Sequence, residues 1–227
     1  MTDFILALPI LLFSVVAHEY AHAWAAYRQG DDTAYALGRL TLNPLPHIDP
    51  MMSVIVPLGL YWLSSLSGHP FTFGAAKPVP VNPRNYRHYR RGDVIVSAAG
   101  IIANLFLGAG CTVLFGALGI LADVIPGAID TLGTLQRMMA FGVALNFTLA
   151  IFNLIPIPPL DGSRLFYHAL PASWGARYLQ LGRFGFLVLF ATFLVPGLWN
   201  VLLWPVDSLT AGALSLVESY ALPSVAR

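Results

Sequence analysis

Residues 4–27, FILALPILLFSVVAHEYAHAWAAY, form an apolar run whose only acidic residue is Glu19. Within it, His18-Glu19-Tyr20-Ala21-His22 sets two imidazoles four positions apart. That spacing is one helical turn, or about 6 Å of rise, so both rings can reach one metal ion. Glu19 stands beside them, where a carboxylate can take a proton from a metal-activated water. An acidic group at mid-bilayer costs about 2.5–3.5 kcal/mol even on a lenient insertion scale, so this constellation needs an explanation.

The remainder of the chain belongs to a membrane. Of 227 residues, 57% are hydrophobic and 10% charged, and the mean hydropathy is +0.70; soluble domains carry about 25% charged residues. Charge-poor runs occupy Phe4–Ala17, Met51–Ser67, Val94–Ala122, Met138–Leu160 and Phe184–Val206. Crossing a ~30 Å hydrocarbon core takes ~20 residues of helix, and every run but Met51–Ser67 is long enough once the first is continued to Tyr27. The fold expected is an all-α polytopic membrane protein of about four spanning helices, with Met51–Ser67 as a short or re-entrant fifth segment. Residues 1–206 are read as one membrane-embedded domain and 207–227 as a C-terminal tail of amphipathic character. Asp3 stands where a secretory signal would be basic, so the first run reads as retained. Cys111 is the single cysteine, which excludes an internal disulfide and a thiolate metal cluster. A net charge of +1 with scattered basic residues argues against nucleic acid as a partner.

Pro57 and Gly59 interrupt Met51–Ser67, as suits a segment that dips into the membrane and returns. In that arrangement Arg28, Arg39, Lys77, Arg84, Arg87, Arg90, Arg91, Arg164 and Arg177 share one face, against Arg137 and Arg227 on the other. The positive-inside bias makes the first face cytoplasmic. Residues 33–42, TAYALGRLTL, rich in Thr, Tyr and Leu and followed by Asn43-Pro44, read as a small β-hairpin-like region near that face. Such an edge could hold an extended substrate. His47, close to Asp49, reads either as a support for a ligand or substrate or as a surface histidine paired with Asp49. His69, His88 and His168 have no partner spacing and read as interfacial.

A catalytic zinc takes three protein ligands and keeps a fourth position open, and His18 and His22 supply two. Asp161 ends the stretch Asn153-Leu-Ile-Pro156-Ile-Pro158-Pro159-Leu160-Asp161-Gly162, whose prolines cannot continue a helix. Unwound backbone at membrane depth is tolerated only against protein or a hydrated cavity. Asp161 is therefore either the third ligand or the cap of a short helix starting near Ser163; the unfilled ligand position favours the first.

The motif at 18–22, Gly100-x-x-x-Asn104 in the third run, and Asn153-x-x-Pro156 with Leu160-Asp161-Gly162 together resemble the site-2 proteases, intramembrane zinc metalloproteases of peptidase family M50. Gly38-Arg-Leu-Thr-Leu-Asn-Pro44 and Ala76-Lys-Pro-Val-Pro-Val-Asn-Pro83 resemble its small bacterial members, without PDZ or CBS modules. Ile101 departs from them, since a proline often follows the motif glycine there. The resemblance implies one Zn2+ per chain held by His18, His22 and Asp161, with Glu19 as general base. It favours Asn153 over Asn104 as the amide that stabilises a developing oxyanion; both could instead hydrogen-bond between helices. Gly100 and Asn104 are candidate supports of the site.

These readings predict an intramembrane endopeptidase that cuts transmembrane protein substrates in the lipid bilayer, in the bacterial cytoplasmic membrane, with its site nearer the cytoplasmic face. The alternative is a zinc-dependent membrane binding protein or metal carrier that hydrolyses nothing. Carriers line a path with ionisable groups, whereas these runs supply one ligand set and one base. Oligomeric state is left open by the sequence.

Overall fold

The computed structural model describes residues 2–55, 59, 62, 77–193, 195, 197–223 and 225. Among them every regular element is helical. Three helices are long and apolar enough to cross a membrane, within Leu6–Gln29, Tyr89–Val124 and Pro126–Leu154. Most of the run 51–67 on which the re-entrant reading rests lies outside the described residues; of it Met51–Ile55 belong to a short π-helical turn that begins at Pro50.

Helix α1, Thr2–Gln29, carries the histidine motif in its last third and ends with Arg28 in its final turn, where a cation suits the helix dipole. Gly30, at φ +108°, takes the left-handed position that stops it. Asp31 N–H returns to Ala26 C=O at 3.0 Å, the six-to-one bond of a Schellman turn. Asp31, 1% exposed, is thereby folded beneath α1, and Thr33 N–H donates to its carboxylate. That local bond nucleates a helical turn, α2, Thr33–Ala36, so the expected hairpin over 33–42 is replaced by helix and turn. A local bond between the Asp31 carboxylate and the backbone has overridden the β-propensity of Thr33 and Tyr35.

Helix α3, Tyr89–Val124, is about 54 Å long at 1.5 Å per residue. Every fourth residue from Gly92 to Gly116 (Gly92, Val96, Gly100, Asn104, Gly108, Thr112, Gly116) is buried. This stripe of small and polar side chains lets other helices approach closely. The opposite face, with Ile102, Phe106 and Val113, is exposed, as suits lipid. Helix α4, Ile129–Leu154, makes the most extensive packing against α3, followed by α1. Phe147 lies so close to Gly108 that an added Cβ would come within 2.6 Å of its ring.

After the proline-rich 155–160 come α5, Asp161–Ala169, α6, Ala172–Leu181, α7, Gly185–Phe193, and α8, Leu198–Ser215. The expected single span at 184–206 is thus divided. Gly197 is left-handed at φ +77° between α7 and α8, and Asn200 and Asp207 dilute the apolarity of α8. Helix α8 also runs through the expected boundary at 206/207. Beyond it, Val217 and Tyr220 fill the space left by Gly116 and Gly119. Gln136, fully buried, accepts from Leu222 N–H at 2.8 Å and donates to Tyr220 C=O at 2.9 Å.

The long connection from α1 to α3 begins and ends at one end of the bundle, because Arg87 N–H donates to Gln29 C=O at 2.9 Å. Asp31 secures it, accepting from Asn82 N–H at 2.6 Å and Asn85 Nδ2 at 2.9 Å. Burial alone would raise the Asp31 carboxyl, but hydrogen bonds from Thr33, Asn82 and Asn85 hold it below its ordinary value. A carboxyl so depressed stabilises the fold above its unfolded pKa of about 3.9, and that contribution is lost as pH falls through the lower folded value. Asp31→Ala is expected to cost about 1–3 kcal/mol. Denaturation in detergent should show that gap constant above about pH 5 and shrinking below about pH 4; a gap independent of pH would contradict the assignment.

Candidate metal centre

His18 and His22 project from adjacent turns of α1 toward α3, where Gly100 has no side chain. A Cβ there would sit 2.5 Å from His18 Cε1 and closer still to His22 Nε2. The outer nitrogen of each ring is already committed. His22 Nδ1 donates to Val96 C=O at 2.7 Å and His18 Nδ1 to Asn104 Oδ1 at 2.6 Å. Since those oxygens only accept, the protons of both neutral imidazoles are on Nδ1 and the lone pairs are on Nε2.

Those lone pairs converge with a carboxylate. His18 Nε2 and His22 Nε2 are 3.0 Å apart, and Asp161 Oδ2 lies 3.3 Å from the first and 3.1 Å from the second. Zinc at 2.0–2.1 Å from tetrahedral ligands separates them by about 3.3 Å, so the triangle matches the ion. Three electron-rich atoms facing one another, their protons turned outward, form a donor set for a cation. The site is not sealed, since the Asp161 side chain keeps 20% of its exposure; water has a way to an open position.

Asp161 is the first residue of α5 rather than the cap of a helix beginning near Ser163. Gly162 lets that first turn press on the end of α4, since a Cβ would strike Leu154 C=O. Asp93 of α3, 4% exposed, fixes the rest of α5. It accepts from Arg164 Nη1 at 3.0 Å and pairs with His168 Nε2 at 2.7 Å. Asp161, Arg164 and His168 are spaced i, i+3, i+7 and share the face turned to α3. His168 is therefore a paired residue in the helix interface, which corrects its reading as merely interfacial; its partner is 75 positions earlier in the chain.

Asn104 is fully buried and joins three helices. Its oxygen serves His18, while its Nδ2 donates to Asn146 Oδ1 of α4 at 2.9 Å. Asn146 Nδ2 in turn donates to Ser14 Oγ of α1 at 2.9 Å. The sequence reading missed Asn146 and Ser14, although an amide within the apolar run 138–160 is itself a signal. With Oδ1 on His18 and Nδ2 on Asn146, Asn104 orients His18. Asn153 donates to Leu149 C=O of its own helix at 2.9 Å and lies outside the three-ligand group. His47 is 1% exposed, so it is no surface histidine. Its Nε2 donates to Thr41 C=O at 3.0 Å, while Nδ1 has no hydrogen-bond partner among the described residues. Glu19 accepts from Val79 N–H at 2.7 Å, and its charge acts on the neighbouring His22.

Known proteins carry the same arrangement of sequence. The family model of Peptidase family M50 matches residues 50–195, which include Asp161 but not the histidine motif. Among relatives that bear the name "Putative zinc metalloprotease", YwhC of Bacillus subtilis is 37% identical over 93% of this chain and 89% of its own length. Rip2 of Mycolicibacterium smegmatis is 34% identical over 86% of this chain and 69% of its own, and Rip2 of Mycobacterium tuberculosis strain H37Rv is 32% identical over 90% and 74%. No solved structure matches the chain. A convergent set of two imidazoles and a carboxylate, a family match over more than half of the chain and a relative covered over 89% of its length agree: the chain is a protease of peptidase family M50.

Proposed function

We propose that this protein is an intramembrane zinc endopeptidase that hydrolyses peptide bonds in or near the transmembrane segments of membrane-anchored proteins. The observation that carries the reading is the triangle of His18 Nε2, His22 Nε2 and Asp161 Oδ2, with both Nδ1 protons turned away, its two imidazoles on a helix apolar enough to span a bilayer.

His18, His22 and Asp161 would hold one Zn2+, which when bound would supply a Lewis acid that makes water more acidic and polarises a carbonyl. Glu19 takes the proton of the attacking water and returns it to the leaving amine. Asn153 stabilises the developing oxyanion after turning its amide away from Leu149. Asn104, Asn146 and Ser14 keep the His18 ring aimed, and Val96 C=O does so for His22. A substrate helix shields its own amides, so its scissile stretch must unwind and find new partners; helix-weakening residues mark the substrates this site takes.

The meeting of Gln29 with Arg87 supports a connection that re-enters rather than crosses. With that topology the Arg-rich loops and the site share one face, which the positive-inside bias makes cytoplasmic. Helices α7 and α8 serve as an interrupted fourth crossing, with Val206 of α8 packed on Val143 and Phe147 of α4.

Asn104→Ala leaves all three ligands in place yet is expected to weaken Zn2+ binding about 10–100-fold. Competition against a chelator measures this, and an unchanged affinity would remove Asn104 from the site. The chemistry itself is tested on a panel of single-span reporter proteins with helix-weakening segments, incubated in detergent with wild type and Glu19→Gln. The variant should keep its zinc and lose cleavage about 10²–10⁴-fold. Equal cleavage by both proteins would sink the mechanism, and zinc binding without cleavage of any reporter by wild type would favour a carrier.

A further inference from the structure

The carboxylate assigned as general base is held by the backbone of a segment about 60 residues away. Residues 77–82, Lys-Pro-Val-Pro-Val-Asn, form a strap outside any helix, and the Val79 N–H is the group it gives to Glu19 Oε2, at 2.7 Å. The strap is fixed along its length. Lys77 N–H donates to His47 C=O at 2.9 Å. Arg39 Nη2 donates to Lys77 C=O at 2.8 Å and to Pro78 C=O at 3.4 Å. Asn82 N–H ends on Asp31 at 2.6 Å. Val79 itself is buried with Ala23 and Ala34, and Pro78 and Pro80 on either side lock their own φ near −65°.

Such fixation exceeds what covering a helix requires. Arg39 is 9% exposed and spends its guanidinium on strap carbonyls, and its Nε has no partner, a desolvation cost tolerated to hold those carbonyls. What the strap delivers is one aimed N–H. A glutamate has three rotatable bonds, and a base must stand within ~2.6–3.2 Å of the proton it takes. Tying Oε2 to a rigid donor removes most of that freedom and leaves Oε1 for proton exchange.

We infer that Val79 is a positioning residue, whose backbone N–H orients Glu19 for catalysis, with Arg39 holding the strap that aims it. The inference rests on Glu19 being the base. Proline preceded and followed by proline is compatible with an extended strap, so Val79→Pro removes the one hydrogen at issue. Val79→Ala removes the same packing but keeps the N–H. On the single-span reporters, V79P is expected to lower kcat about 10–100-fold with KM within about twofold and with zinc content retained, while V79A keeps at least about ten times the kcat of V79P. Equal kcat in V79P and V79A, with Glu19→Gln inactive, overturns the inference but spares the mechanism; an active Glu19→Gln overturns the mechanism instead. A second readout needs neither activity nor metal. In zinc-free protein, amide hydrogen exchange at Val79 is expected to be at least about tenfold faster in Glu19→Ala than in wild type, with Asn82 exchange unchanged. Equal rates at Val79 overturn the inference, and this holds even where V79P fails to fold.

Discussion

The site depends on an absence. Two imidazoles from α1 and a carboxylate from α5 can meet within 3.0–3.3 Å only because α3 presents no side chain at Gly100, where any Cβ would collide with both rings. The same four-residue register governs the rest of α3. Val96, one turn before, turns its carbonyl to His22, and Asn104, one turn after, takes His18. Gly108 admits Phe147 of α4, and Gly116 admits Val217. In a bilayer, where lipid is as apolar as leucine, helices gain little by mere contact. A stripe that permits close approach and a few satisfied polar groups therefore decide which faces meet, and the metal site forms where those two devices coincide.

Where α1, α3 and α4 meet, the buried polar side chains bond one another. Ser14, Asn104 and Asn146 are all buried, and an unpartnered amide at that depth costs several kcal/mol. Their chain of bonds is therefore a condition on how α1, α3 and α4 register, and one slip along any helix would orphan an amide. The same chain fixes the tautomer of His18, so a requirement of folding becomes a property of the ligand. Asp93 acts likewise on α5: pairing Arg164 and His168 seats the helix whose first residue is Asp161.

How much of this the sequence discloses depends on whether a residue's role is tied to its own identity. The meeting of His18, His22 and Asp161 was legible because ionisable groups in an apolar helix need a reason and the prolines before Asp161 forbid continued helix. Gly100 and Asn104 were legible through family resemblance; the wider stripe was not, since small residues are frequent in apolar helices whether or not they touch anything. Thr33–Ala36 was misread because its helical turn depends on Asp31, which a Schellman turn at Gly30 brings into place; propensity sees the residues and not the cap. His168 was misread because its partner is remote in sequence. The Val79 N–H could not be read at all, since every residue but proline has one.

That last case bears on how the two halves of the site relate. His18 and Asp161 are separated by nearly two-thirds of the chain, and a metal closing so long a loop would contribute much of its binding energy to folding if nothing else closed it. Here other bonds do. Asp93 holds α5 to α3, Gln29 and Asp31 hold the strap's end to α1, and the buried amides hold α1 to α3 and α4. His18, His22, Asp161 and Glu19 are thus brought together by these bonds as well as by their own to Asn104, Val96 and Val79. Such a site resembles an assembled socket more than a clasp: the protein arranges it through glycine clearances, a carboxylate one step removed and a proline-bound strap, so a bound ion would not be needed to gather the chain.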